Sequence, residues 1–378
     1  MMRQQVEPQT RRTITVATQL LTAAQLDGPL IIGLGLIASY GLIVLYSASG
    51  QDAGKVLRAV FHLCLGTAAM LGLAQVRPQA LRRAAPWLYG VGVFLLLVVF
   101  AEGVIGKGAR RWLDLGFIRF QPSEILKIAV PMLCAWYLEE KPLPPSAKSL
   151  GVAAAIIVVP AALIIKQPDL GTALLIVAAG AMVVIMAGLS IWIMLIGALL
   201  GSVGAWFAWS HLLHDYQRER VLTFLDPQND PLGSGYHIIQ SQIAIGSGGV
   251  FGKGWMNGTQ AQLDYLPERH TDFIFAVIGE EFGLLGQTIL VLLYLFVIAR
   301  ALYLTSQMQD SFARLLASSL SLTFFVYVFI NTGMVSGLLP VVGVPLPLVS
   351  YGGTSMVTLL AGFGILMSLY SHRKLVGS

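Results

Sequence analysis

Pro267-Glu268-Arg269-His270-Thr271-Asp272 stands directly before the apolar run FIFAVIG, so Asp272 falls at the mouth of a predicted membrane helix. A carboxylate there has two uses. As an N-cap, Thr271 or Asp272 accepts the unpaired N–H groups of the first turn and suits the positive end of the helix. As a general base, Asp272 takes a proton from a substrate hydroxyl within hydrogen-bond reach. The residues alone leave both open. Glu280 and Glu281 follow two turns later, and Asp169 opens another helix in KQPDLGT. Ionisable groups within a span are rare and face polar interiors. The spacing puts Glu280 on nearly the face of Asp272, so a polar cavity lined by both is one expectation and a structural hydrogen bond the other.

Cations concentrate in the segment 102–123, where Lys107, Arg110, Arg111 and Arg119 oppose only Glu102 and Asp114. Interleaved with Trp112, Leu113, Leu115, Phe117, Ile118 and Phe120, they suit an amphipathic segment at an anionic headgroup surface. They equally suit a bound phosphate, whose oxygens match guanidinium forks. Four of the six histidines lie in 211–271, but only His211 and His214 are three apart, a weak zinc signal. IAIGSGGVFGKGW lacks the GxxxxGK[ST] pattern, so its glycines read as turns rather than a phosphate cradle.

The elements that must position these groups are membrane helices. Of 378 residues 56% are hydrophobic and 11% charged, with a mean hydropathy of +0.74; a soluble domain carries roughly 25% charged residues. A span needs about 20 apolar residues, and the expected spans are 30–47, 56–76, 86–101, 124–138, 149–165, 170–188, 190–210, 272–300, 312–335 and 354–371. The fold class expected is thus an all-α integral membrane protein of ten helices, with a long external loop, 211–271, between the seventh and eighth. Residues 1–27 and 372–378 read as tails around one membrane domain, 28–371. Arg77, Arg82 and Arg83 in the second loop, with Arg3, Arg11, Arg12, Arg373 and Lys374, put both termini in the cytoplasm. Segments 102–123, 211–271 and 336–353 then lie outside, and the chemistry with them. Cys64 and Cys134, far apart in apolar runs, read as small core residues, and Gly197 with Gly201 as a close helix-packing pair.

Six motifs occur in order: QPSE (Gln121–Glu124) with Lys127, QPDLGT (Gln167–Thr172), DPLGSGYHIIQS (Asp230–Ser241), GSGG (Gly246–Gly249), LPERHTDFIF (Leu266–Phe275) and GLLPVVGVPLPLVSYGG (Gly337–Gly353). Together they resemble the shape, elongation, division and sporulation family, from about Asp27 to the C-terminus. The resemblance implies a peptidoglycan glycosyltransferase of the bacterial inner membrane. Its members polymerise lipid II into glycan strands on the periplasmic face, here in cell elongation and the maintenance of rod shape. It implies that Asp272 is the aspartate required for activity. Arg110, Arg111, Lys127 and Arg269 then become candidates to hold the leaving diphosphate, with Glu124 and Asp169 beside them. A divalent cation, Mg²⁺ or Mn²⁺, is a possible helper, and no cofactor is certain. Ser350, Tyr351, Gly352 and Gly353 are expected to shape the cavity without a chemical step. Implied partners are a class B penicillin-binding protein transpeptidase, other elongation-complex membrane proteins and membrane lipids; nothing points to nucleic acid. Two rival functions stand beside the enzyme, a lipid II flippase and a scaffold. Neither needs a base at an external helix mouth.

Overall fold

The computed structural model describes residues 25–106, 109–114, 119–211, 218, 222–224, 226 and 234–372. The expectations for the two tails beyond these residues, for Lys107 and His214, and for the side chain of Arg110 lie outside what is described.

Each expected span coincides with a helix. The first, α1 (Gly28–Ala48), is capped by Asp27, whose carboxylate accepts from Leu30 N at 3.0 Å. It is followed by α2 (Ala53–Ala74), α3 (Pro78–Glu102), α4 (Pro122–Glu139), α5 (Ala147–Lys166), α6 (Leu170–Met186) and α7 (Ile191–His211). The C-terminal part adds α10 (Ile274–Ser306), α11 (Ser311–Val335) and α12 (Gly353–Ser371). Among the described residues eight of these helices are long and apolar enough to cross a membrane. Of the other two, α6 is short at 17 residues, and α4 carries Glu124, Lys127 and Glu139. The chain is a multi-pass membrane protein.

Charged residues explain where α3 departs from expectation. It begins at Pro78 rather than near residue 86, because Arg82 in its first turns finds Glu139 at 2.8 Å and Asp310 at 3.0 Å. That knot ties α3, α4 and α11 together at one end of the bundle, where Arg300 also pairs with Asp27 at 2.7 Å. We call it the tail end, and the opposite one the site end.

The site end holds structure that a purely helical expectation misses. Residues 102–123 contain an antiparallel ribbon of β1 (Val104–Gly106), β2 (Ala109–Asp114) and β3 (Arg119–Phe120), with β2 central. The long loop contains α8 (Ser234–Gly248) and the single turn α9 (Thr259–Gln262). Two packing expectations are also corrected. Cys64 is exposed on α2, and only Cys134 is buried. A Cβ on Gly197 or Gly201 would meet nothing within 4 Å. The apolar face of α7, with Trp192, Leu199 and Trp206 exposed, has no helix against it among the described residues, so its small residues fill no close crossing.

Candidate active site

Asp272 sits in the turn that leads into α10. The helix begins at Ile274, with Phe273 in the N-cap position and no capping side chain, so Asp272 stands one residue outside the place the cap reading gives it. Three backbone carbonyls of this turn are held by other elements. Asn331 of α11, fully buried, donates from Nδ2 to the carbonyl of Asp272 at 2.9 Å and to that of Val344 at 2.8 Å. Ser350 Oγ donates to the carbonyl of Thr271 at 2.5 Å and accepts from Leu346 N at 2.8 Å. Tyr351 N donates to the carbonyl of His270 at 2.9 Å. Within the turn, Thr271 Oγ1 donates to the Glu268 carboxylate at 2.7 Å, and Phe273 stacks on His237 of α8 with ring centroids 5.7 Å apart. Burial pushes the His237 imidazole below its ordinary pKa, and the nearby Glu268 opposes that shift.

A second cluster lies on α4, α6 and β2. Asp169 is the N-cap of α6, accepting from Thr172 N at 3.2 Å, and it also takes Gln121 Nε2 at 3.3 Å and faces Arg111 at 3.7 Å. Arg111 donates further to the carbonyls of Gln167, at 3.3 Å, and Pro168. Lys127 is buried against Glu124 at 2.7 Å and lies 5.3 Å from the ring centroid of Tyr327. Beside it is a small cavity of about 30 Å³, lined by Thr323, Leu320, Phe324, Leu359, Phe363 and Leu366.

One strand of chain joins the two clusters. Gly171 must be glycine, since a Cβ there would stand 2.4 Å from the carbonyl of Val342. One residue on, a Cβ at Gly343 would lie 3.5 Å from Asp272 Oδ2. The loop after α11 therefore runs from the α6 mouth past the Asp272 carboxylate.

Two expected members belong elsewhere. Glu280 is fully buried in a structural network, accepting from Lys253 Nζ at 2.7 Å, Thr259 Oγ1 at 3.1 Å, Gln260 N at 2.9 Å and Ala261 N at 3.2 Å. Glu281 accepts from Ser47 of α1 at 2.5 Å. The structural reading of these carboxylates is the one realised. Arg269 pairs with Asp264 at 2.7 Å; the aspartate side chain is 82% exposed. Among the described residues no three His, Cys, Asp or Glu side chains are grouped to hold a metal ion.

This arrangement of spans and loops matches a known family across almost its whole length. The model of the cell cycle protein family of FtsW, RodA and SpoVE covers residues 28–375. The chain belongs to this family. It is 52% identical over 353 residues to the peptidoglycan glycosyltransferase MrdB of Escherichia coli K12, covering 93% of this chain and 95% of that one. It is 35% identical to a probable peptidoglycan glycosyltransferase FtsW of Trichlorobacter lovleyi, with the same coverage. Among solved structures it resembles one described as a peptidoglycan synthase complex that coordinates polymerization and crosslinking, with TM-score 0.82 and 32% identity over 92% of this chain and 98% of that one. It also resembles the rod shape determining protein RodA of Thermus thermophilus, with TM-score 0.71 and 29% identity over the same shares.

Within this family member, Asn331 is the residue that sequence reasoning missed. A lone carboxamide in the apolar run FVYVFINTGMV is a detectable signal, because a polar side chain in a span needs a partner. Its partners, two backbone carbonyls, leave no trace in the sequence.

Proposed function

We propose that this chain is a peptidoglycan glycosyltransferase that polymerises lipid II into glycan strands for cell elongation and rod shape, with Asp272 as the general base. The observation that carries the assignment of the base is the tethering of its turn by Asn331, Ser350 and Tyr351. Fixing a carboxylate to within a fraction of an ångström is what proton abstraction in a near-attack geometry requires. Asp272 accepts the proton of the acceptor 4-hydroxyl as that oxygen attacks C1 of the donor MurNAc, inverting it from α to β. Undecaprenyl diphosphate leaves.

The leaving diphosphate needs cations, and the energies of their present partners rank the candidates. Arg269 lies three residues from Asp272; its own side chain is 16% exposed but its partner Asp264 is 82% exposed, so water stabilises the partner once the pair opens and the substrate recruits Arg269 most easily. Arg111 must share itself with two carbonyls and Asp169. Lys127 comes last, since separating a buried pair costs about 3–5 kcal/mol. Removing one donor to developing charge costs about 3 kcal/mol, roughly a hundredfold in rate. Arg110 remains a candidate from its place in β2. Mg²⁺ or Mn²⁺ is held in many phosphate sites by one or two carboxylates plus the substrate's own oxygens, an arrangement that needs no protein-only cage; no step here is routed through it.

The charge pattern of the loops supports the orientation: tail end and termini in the cytoplasm, site end in the periplasm. The class B penicillin-binding protein proposed as partner would crosslink the strands made here, with other elongation-complex membrane proteins and lipids around the pair. The flippase reading needs no base at an external helix mouth, so the tethered turn of Asp272 favours the enzyme. The test is glycan-strand formation from purified lipid II by the chain with its transpeptidase partner, wild type against Asp272→Asn. Lost polymer from an intact complex supports the base; full polymer removes it.

A further inference from the structure

The bilayer boundary can be located from two contacts. At 1.5 Å per residue, the 21 residues of α1 span about 31 Å, the thickness of a hydrocarbon core. Asp27 and Ser47 therefore mark its two faces. Asp27 is level with Arg300 and Ser47 with Glu281, through their direct contacts. The site-side boundary thus passes close to Ser47 and Glu281.

The segment Gly249–Trp255 runs from the level of that boundary, where Lys253 and Gly254 meet Glu280 and Glu281, down to the level of Leu284 and Leu285. At Gly283, φ is 66° and ψ is −164°, so α10 breaks there, and the freed backbone groups pair with this segment. Lys253 N and Gly254 N donate to the carbonyls of Glu280 and Glu281, both at 2.9 Å, while Leu284 N and Leu285 N donate to those of Gly249, at 2.9 Å, and Val250, at 3.0 Å. The fit admits no side chain: a Cβ on Gly283 would stand 2.4 Å from Gly252 N. The Trp255 indole N–H donates to the carbonyl of Ile43 at 3.2 Å, four residues inside Ser47, about 6 Å deeper along α1.

We propose that Gly249–Trp255 is a re-entrant loop whose outward face lies among the acyl chains of the site-side leaflet. Non-helical backbone is tolerated at such depth only where protein satisfies it, and the break in α10 supplies those partners. The outward face is apolar and continuous with the lipid-facing wall of two spanning helices: Phe251 is 79% exposed, Val250 55% and Trp255 46%, beside Leu284 at 59% and Leu285 at 52% on α10 and Ile43 at 50% on α1. Its single charge is turned inward, since Lys253 Nζ is spent on Glu280 and Thr259. Trp255 takes the interfacial depth that tryptophan favours. Through Lys253 and Glu280 the loop is bonded to the half-helix that carries Asp272, so the lipid contact also fixes the height of that turn.

A nitroxide reads this directly. With Cys64 and Cys134 replaced by serine, a spin label at Phe251→Cys in lipid nanodiscs should collide more with oxygen than with the water-soluble nickel chelate Ni-EDDA, as a label at Leu285→Cys does. A label at Asp264→Cys should show the reverse. Val250→Cys serves as the second reporter should Phe251→Cys fail to fold. A nickel-dominated signal at these positions places the loop in water and overturns the proposal. Shielding from both reagents overturns it too, because protein then covers the face.

Discussion

Asp169 and Asp272 both stand at the site end beside a helix start, and the chain treats them in opposite ways. Asp169 spends its carboxylate on structure: it caps α6, takes a side-chain hydrogen bond from Gln121 and faces Arg111. Around Asp272 three tethers grip backbone carbonyls, those of His270, Thr271 and Asp272 itself, from Tyr351 N, Ser350 Oγ and Asn331 Nδ2. A turn anchored through its main chain keeps its position whatever the side chain is doing, which suits the general base proposed for Asp272.

The sharpest way to break this contrast is to change each carboxylate to its amide. Asp272→Asn should reduce polymerisation by about 10²–10⁴-fold, the usual worth of a general base, with thermal stability in detergent unchanged. Asp169→Asn weakens a cap and an ion pair, so its first effect should be a loss of about 1 kcal/mol of stability. Equal activity losses with equal stability would dissolve the distinction. Next in size is the Glu124–Lys127 pair: Lys127→Met alone should destabilise by about 3–5 kcal/mol by stranding a buried carboxylate, and adding Glu124→Gln should restore most of it. Thermal unfolding of the single and double variants checks this. A double variant that is stable yet inactive would give Lys127 a chemical role beyond its pairing. Asn331→Leu should remove two hydrogen bonds, about 2 kcal/mol, and lower kcat by about 10–100-fold with KM for lipid II little changed, as expected when a base is loosened while substrate binding stays intact. A pure rise in KM would mean that Asn331 does not act through Asp272.

The sequence shows the spans clearly, because apolar length is a local property that needs no tertiary partner. Its misses are non-local. The ribbon at 104–120 and the helix at Ser234–Gly248 sit in polar, glycine-bearing segments whose folding depends on what they pack against. The spacing of Glu280 from Asp272 left a shared cavity and a structural hydrogen bond both open, and Lys253 with the amides of Gln260 and Ala261 realises the second. Asp272 is a candidate through its motif alone, whereas the tether of its turn at Asn331 lies 59 residues away. Candidate site residues were therefore easier to pick out than the contacts that hold them, since motifs are local and the tethers are long-range.

The smallest expected effect tests the ranking of cations. Arg269 and Lys127 are both paired at 2.7 Å, but the partner of Arg269 is largely in water while that of Lys127 is buried. Asp264→Asn should therefore change stability by less than about 1 kcal/mol. Arg269 is then released towards the diphosphate, and the KM for lipid II should fall slightly or hold steady, whereas Arg269→Ala should cost about a hundredfold in kcat. Steady-state polymerisation at varied lipid II separates the two variants. If both depress activity alike, the Arg269–Asp264 pair is itself the working unit, and the ease of breaking an ion pair is no guide to which cation meets the leaving group.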